Sequence, residues 1–128
     1  MEYTIHLEEE NKIVVAVPKG EWELETDNRM IHQIMELVNT TEARNVLLDI
    51  RGLHLNLSIV EIFEHAKEVR EKRQGFNKVS TKVAIVYAMS DSKMEEDMLF
   101  FETAARNRGL PYQVFRDFEI AMLWLREE

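Results

Sequence analysis

Two spacings of apolar residues alternate along this chain, and each predicts a different kind of element. Tyr3 to Glu8 alternates polar and apolar outward from Thr4, and Lys12 to Val17 is a β-branched run; Glu9 to Asn11 between them suits a hairpin turn. Pro18 and Gly20 punctuate the end of the second strand. The spacing then becomes helical. Met30, Ile31, Ile34, Leu37 and Val38 share one stripe, Thr26 or Asp27 stands where an N-cap belongs, and the helix is expected to end near Asn39.

Val46, Leu47, Leu48 and Ile50 form a continuous apolar run too short for a helix, the pattern of a central strand buried on both faces. A loop from Gly52 to Leu57 follows. Ile59, Ile62, Phe63, Ala66 and Val69 recur at helical spacing, with Ser58 as N-cap and Glu61 three residues later completing a capping box; Gly75 stops this helix after Gln74. Val83 to Tyr87 is the next buried strand. A candidate cap at Ser90 opens a third helix with Met94, Met98, Phe101 and Ala105 along its stripe, ended by Gly109 and Pro111. Tyr112 to Phe115 is a last short strand, and Asp117 starts a closing helix whose Phe118, Ala121, Met122 and Leu125 face inward, with Trp124 near their edge.

The order is ββαβαβαβα. Strands alternating with helices imply parallel strands joined by right-handed crossovers, and the opening hairpin makes the sheet mixed. The expected fold is α/β, one five-stranded mixed sheet with four helices. With 128 residues and no repeat or linker, residues 1–128 are expected to form a single domain.

Apolar residues make up 45% and charged residues 31%, an ordinary globular balance. The net charge of −8 opposes attraction to nucleic acid phosphates, although six cations between Lys67 and Lys82 form a local exception suited to a solvated helix end. The chain has no cysteine, which excludes disulfides and thiolate chemistry and leaves a cytoplasmic address as the expectation. The amino terminus lacks a signal-peptide pattern, and no stretch approaches the ~20 apolar residues of a membrane span.

Several residues carry a resemblance to a known family. A Gly20 turn followed by Asp27 and Asn28, then VLLDIRGL at 46–53, KVAIV at 82–86 and FRDFEIAMLWL at 115–125, resemble the STAS fold of anti-sigma factor antagonists, and more closely its SpoIIAA-like branch. In the classical antagonists, the loop after the strand matching Val46 to Ile50 carries a phosphorylatable serine in an Asp-Ser-Ser-Gly-like motif, and the resemblance places Ser58 there. Leu57 replaces the acidic residue of that motif, while Ile59 and Val60 replace its second small residue and its glycine. A phosphate at a helix N-terminus is stabilised in place and alters the recognition surface. The competing role of the same hydroxyl is plain N-capping. The SpoIIAA-like branch is also similar in topology to CRAL-TRIO-like lipid-binding domains.

Residue patterns that carry reaction chemistry are scarce along the chain. His6, His32, His54 and His65 have no spacing that converges two of them on one helical face, so no metal and no cofactor are expected. His65 lies four residues after Glu61, a spacing more often a solvated helix pair than a site. Asp49 and Asp91, each near the end of a parallel strand, could approach one another, but capping for Asp91 and loop ordering for Asp49 are the stronger roles. No phosphate loop or Gly-x-Ser-x-Gly elbow occurs.

The first expectation is therefore a non-enzymatic regulatory domain that binds a protein partner through the loop 51–58 and the helix after it, with Asp49, His54, Asn56 and Ser58 as partner-binding or switch residues. The alternative is a lipid or small apolar-ligand module with a pocket at Phe63, Met98, Phe101 and Trp124, of a kind that adaptable methionines can line. Leu99 and Phe100 fall off the inward stripe of the third helix, which points to a homodimer or partner surface there.

Overall fold

The structure, a computed structural model, describes residues 1–58, 60, 61, 64, 65, 67, 68, 71, 81–89 and 92–127. Strand β1 (Glu2–Glu8) pairs antiparallel with β2 (Ile13–Glu21), as the alternation predicts. The turn takes one residue more than expected. Lys12 belongs to it, in the left-handed conformation at φ 59°, and the backbone N–H of Asn11 donates to Glu8 Oε2 at 3.1 Å.

Strand β2 also runs through Pro18 and Gly20 instead of stopping there. Gly20 lets it do so, because its φ of +92° is a conformation that a side chain would strain. Helix α1 (Leu24–Thr40) begins before the expected cap: Glu23 holds the N-cap position, and Thr26 and Asp27 lie in the first turns, both buried. Tertiary burial has drawn these two polar residues inside the helix, where they face the core side instead of capping.

Strand β3 (Asn45–Asp49) is parallel to the first half of β2, and β5 (Val83–Val86) is parallel to β3. Between them the chain forms a strand where a loop was expected, β4 (Gly52–His54), parallel to the far half of β2. Ile13 sits opposite Asn45 while Lys19 sits opposite Gly52, so β3 and β4 act as one strand interrupted by a bulge of one residue. The extension of β2 past Pro18 supplies the edge that β4 needs. Helical residues between 60 and 71 mark α2; α3 (Ser92–Arg106), β6 (Tyr112–Phe115) and α4 (Phe118–Arg126) complete the chain.

The sheet is mixed and six-stranded, one strand more than the expected five, in the order β1-β2-β3-β5-β6 with β4 beside β2. Period-two alternation divides its central strands between two cores. Val14, Ala16, Val46 and Ile85 face α1 and α3, while Ile13, Val15, Leu47, Ala84 and Val86 face α4. Both faces of β3 and β5 are thus covered, as their continuous apolar runs require. The two edges differ. At β6, the outward carbonyl of Tyr112 accepts from Arg106 Nε at 3.1 Å and the Val114 N–H donates to Glu102 Oε2 at 2.6 Å, so side chains of α3 cover that edge.

The expected caps at Ser90 and Asp91, the end of α2 at Gln74 and Gly75, and its stripe at Ile59, Ile62, Phe63, Ala66 and Val69 lie outside the described residues. Among the described residues, no helix is long and apolar enough to cross a membrane.

Candidate functional site

Asp49 ends β3 at the carboxyl edge of the sheet and is only 8% exposed. Its carboxylate accepts from Arg51 three times: Nε to Oδ1 at 2.8 Å, Nη2 to Oδ2 at 2.8 Å and the backbone N–H to Oδ1 at 3.2 Å. A fork-to-fork pair closed by a backbone bond fixes the bulge geometry, which the Leu53 N–H completes by donating to the Ile50 carbonyl at 3.0 Å. The Arg51 guanidinium holds the Asp49 carboxyl below the usual carboxylate range, and the carboxylate in turn raises Arg51. The guanidinium also lies 5.5 Å from the Phe118 ring centre, joining the end of β3 to the start of α4. Asp49 is thus an ionised anchor for the loop.

From Leu53 to Ser58 the chain is an extended strap with two faces. Leu53 is buried and Leu55 and Leu57 are half-buried, whereas His54, Asn56 and Ser58 are exposed. Three of the four expected partner-binding residues therefore stand on one outward row, positioned by the leucines between them. His54 Nδ1 is 3.9 Å from Glu21 Oε1, and its carbonyl accepts from the Trp22 N–H at 3.0 Å, tying the strap to the end of β2. Ser58 and Glu61 form the reciprocal capping box: the Ser58 N–H donates to Glu61 Oε1, and the Glu61 N–H donates to Ser58 Oγ, both at 3.2 Å. The Ser58 hydroxyl is at once an exposed group and a structural one.

Beside the strap, an open groove of about 530 Å³ runs between residues 51–55, Leu53 and Leu55 included, on one side and Ala88, Lys93, Met94 and Asp97 on the other. It lies at the carboxyl ends of β3 and β5, the position where ligands and partners of open α/β sheets gather. Lys93 Nζ is 2.7 Å from Asp97 Oδ2, one turn along α3. Tyr87, which ends the β5 run, is buried, and burial pushes its phenol up, so it stays a neutral hydroxyl. Asp49 and His54 have different partners, Arg51 and Glu21, and Asp91 lies outside the described residues. Among the described residues, no group of three or more His, Asp or Glu side chains could hold a metal ion.

Inside the strap, a second and smaller cavity of about 70 Å³ lies between the sheet and the helices. Met98 and Phe101 line it together with Met30, Ile50 and the three strap leucines. Trp124 does not: it packs on the opposite face of the sheet, 5.6 Å from the Phe115 ring, with Lys82 Nζ 4.8 Å from its own ring centre. Among the described residues, the final helix is what covers that face, so a residue at its edge does not reach the cavity. Phe63, the remaining residue of the expected pocket, lies outside the described residues.

The cavity holds one polar corner that the spacing along the chain did not reveal. His65 reaches α1: its Nε2 is 3.7 Å from Asp27 Oδ2, and its ring stands between Trp22 and Phe101 at centroid distances of 5.8 and 6.2 Å. The partners come from helices 38 residues apart in sequence, so no local periodicity announces the pair.

No family model matches the chain, and no curated protein matches it in sequence. Solved structures do match in fold. An anti-sigma factor antagonist from Mycobacterium paratuberculosis superposes with a TM-score of 0.60 at 13% identity, over 98% of this chain and 96% of that one. An uncharacterised protein of the DUF3478 family from Shewanella loihica, described as having a SpoIIAA-like fold, superposes with a TM-score of 0.60 at 20% identity, over 96% of this chain and 93% of that one. The chain has a SpoIIAA-like, STAS-type fold.

Proposed function

We propose that this chain is a non-enzymatic regulatory domain that docks a protein partner at the carboxyl end of its sheet, through the outward row of the strap and the groove beside it. The observation that carries the reading is the strap itself: His54, Asn56 and Ser58 are presented in one exposed row by buried and half-buried leucines and by the Asp49–Arg51 clamp. Such a row is pre-organised, so little ordering entropy is lost when a partner binds. The similar mycobacterial structure is that of an anti-sigma factor antagonist, a protein named for its action on another protein. Ser58 would serve as a contact or a switch, since a group there changes the outward row at a helix start.

The test is a comparison of affinity captures with wild type and with an Asn56→Arg/Lys93→Glu variant, followed by hydrogen-exchange mapping of the reconstituted pair. A partner retained by wild type, lost by the variant and protecting residues 52–58 supports the reading. A partner whose footprint lies elsewhere, or whose binding the variant leaves intact, would sink it.

The reading extends to self-association on the outer side of α3, where Leu99 is 49% and Phe100 37% exposed. Sedimentation at high micromolar concentration should show a dimer that a Leu99→Glu/Phe100→Glu variant abolishes. A wild-type monomer under those conditions removes this extension and leaves the strap reading standing.

A further inference from the structure

We propose that the outer edge of β1 docks a second copy of this chain, the two β1 strands pairing antiparallel about a two-fold axis at Thr4. The hydrogen-bonding directions along β2 show which backbone groups of β1 are turned outward. The Lys12 carbonyl accepts from the Arg44 N–H at 2.8 Å and the Trp22 N–H donates to the His54 carbonyl at 3.0 Å, so the even-numbered residues of β2 turn their backbone groups to β3 and β4. Its odd-numbered residues, Ile13, Val15, Val17 and Lys19, turn theirs to β1, where they meet Glu8, His6, Thr4 and Glu2. Pro18, which has no N–H to give, fits this alternation opposite Tyr3. The N–H and C=O groups of Tyr3, Ile5 and Leu7 therefore point away from the sheet, and among the described residues no strand pairs with them.

The side chains of β1 suit a copy of itself in one register. Because the outward groups belong to odd-numbered residues, an antiparallel copy sets odd against odd and even against even, and three axes keep most of the strand paired. An axis at Ile5 sets Glu2 opposite Glu8 twice, and like charges directly opposite are destabilising. An axis at His6 sets the two imidazoles against one another and leaves Glu2 and Tyr3 opposite the turn. An axis at Thr4 sets Glu2 opposite His6 twice, and an imidazole in either protonation state donates to a carboxylate. These even-numbered pairs are the closer, non-hydrogen-bonded kind, with Cα atoms about 4.5 Å apart, so their charges decide the register. On the opposite face the same axis pairs Tyr3 with Ile5 twice. Both are half-buried against the core beneath α1, so the apolar surface runs on from one copy into the next.

A strand pair of this length is weak, with a Kd on the order of millimolar, so a covalent trap reads it and sedimentation at micromolar concentration does not. It uses neither the strap nor Leu99 and Phe100, and it stands apart from both of those readings.

The chain has no cysteine, so one introduced thiol reports one register. Thr4→Cys, Ile5→Cys and His6→Cys each place a thiol on one of the three axes, and Glu119→Cys, exposed on α4, measures random collision. Each variant is held at millimolar concentration in a glutathione redox buffer with about 0.15 M salt, which screens the net charge of −8, and the covalent dimer is followed on non-reducing gels. Thr4→Cys should cross-link at least roughly tenfold faster than the other three, because only its Cα atoms lie within disulfide reach. In the Thr4→Cys background, His6→Glu should slow the reaction by setting two carboxylates opposite, and adding Glu2→Lys should restore it. In the wild type, exchange of the Tyr3 and Ile5 amides should slow as concentration rises. Cross-linking of Thr4→Cys at the Glu119→Cys rate, fastest cross-linking from Ile5→Cys or His6→Cys, or no rescue by Glu2→Lys overturns the proposal. Protection of Tyr3 and Ile5 that does not depend on concentration also overturns it, since another segment of the chain would then fill the edge.

Discussion

At the scale of single residues, the site depends on two short-range devices that differ in their response to pH. Asp49 has its carboxyl held below the ordinary value by Arg51, so the stability it contributes is fully present above the unfolded value near 3.8 and is lost as pH falls through the lower, folded value. Asp49→Asn should therefore flatten the fall of the urea midpoint below about pH 4 while lowering the midpoint at pH 7. A variant whose acid limb matched wild type would mean that the clamp does not matter to folding. The capping box contains only a neutral hydroxyl and an exposed Glu61, and its loss should be felt at neutral pH. Ser58→Ala should cost about 1 kcal/mol in denaturant unfolding, and Ser58→Asp, which can also cap, should cost less.

Among elements, the strap shows what a periodicity reading can and cannot deliver. The sequence LHLNLS at 53–58 alternates as plainly as any strand here, yet its segment is short and follows a glycine, so it reads as loop. Its alternation becomes structural only because β2 continues past Pro18 and offers a parallel edge to Gly52–His54. The same limit explains the Asp27–His65 pair, which joins two helices, and the misplaced cap at Thr26 and Asp27, which tertiary burial overrode. By contrast, β3, β5 and the caps at Ser58 and Asp117 were legible, since a doubly buried strand and an N-cap are dictated by neighbours in sequence. Helix α3 adds a function that no pattern of its own announces, because Glu102 and Arg106 reach the outward groups of β6. Glu102→Ala should cost about 1–2 kcal/mol and speed exchange of the Val114 amide more than that of Ile85. Equal acceleration at both sites would show that the loss is global and not one of edge cover.

On the scale of the whole molecule, the helices are divided unequally across the sheet. Among the described residues, α1 and α3 share one face with the cavity and the strap, while α4 covers the other. That helix is anchored at both ends: Asp117 accepts from the Ile120 N–H at its start, and Lys82 Nζ donates to the Trp124 and Glu127 carbonyls at its end. Lys82→Met should keep the packing on Trp124 but lose these two carbonyl bonds. Its expected cost is about 1–2 kcal/mol, with earlier thermal loss of α4 helicity than of sheet signal. Simultaneous loss of both signals would show that α4 unfolds only with the whole domain.

The guarded edge at β6 has a further consequence for how copies of this chain can add to one another. A sheet grows by adding strands at its margins, and here one margin is occupied by Glu102 and Arg106 while the other, β1, ends the sheet with an alternating exposed row. Among the described residues, β1 is then the one full-length margin open to addition. Two copies that met along β1 would each bury their long open margin, and among the described residues only the three-residue outer side of β4 would remain unpaired, so a pair closes most of what either sheet could add to.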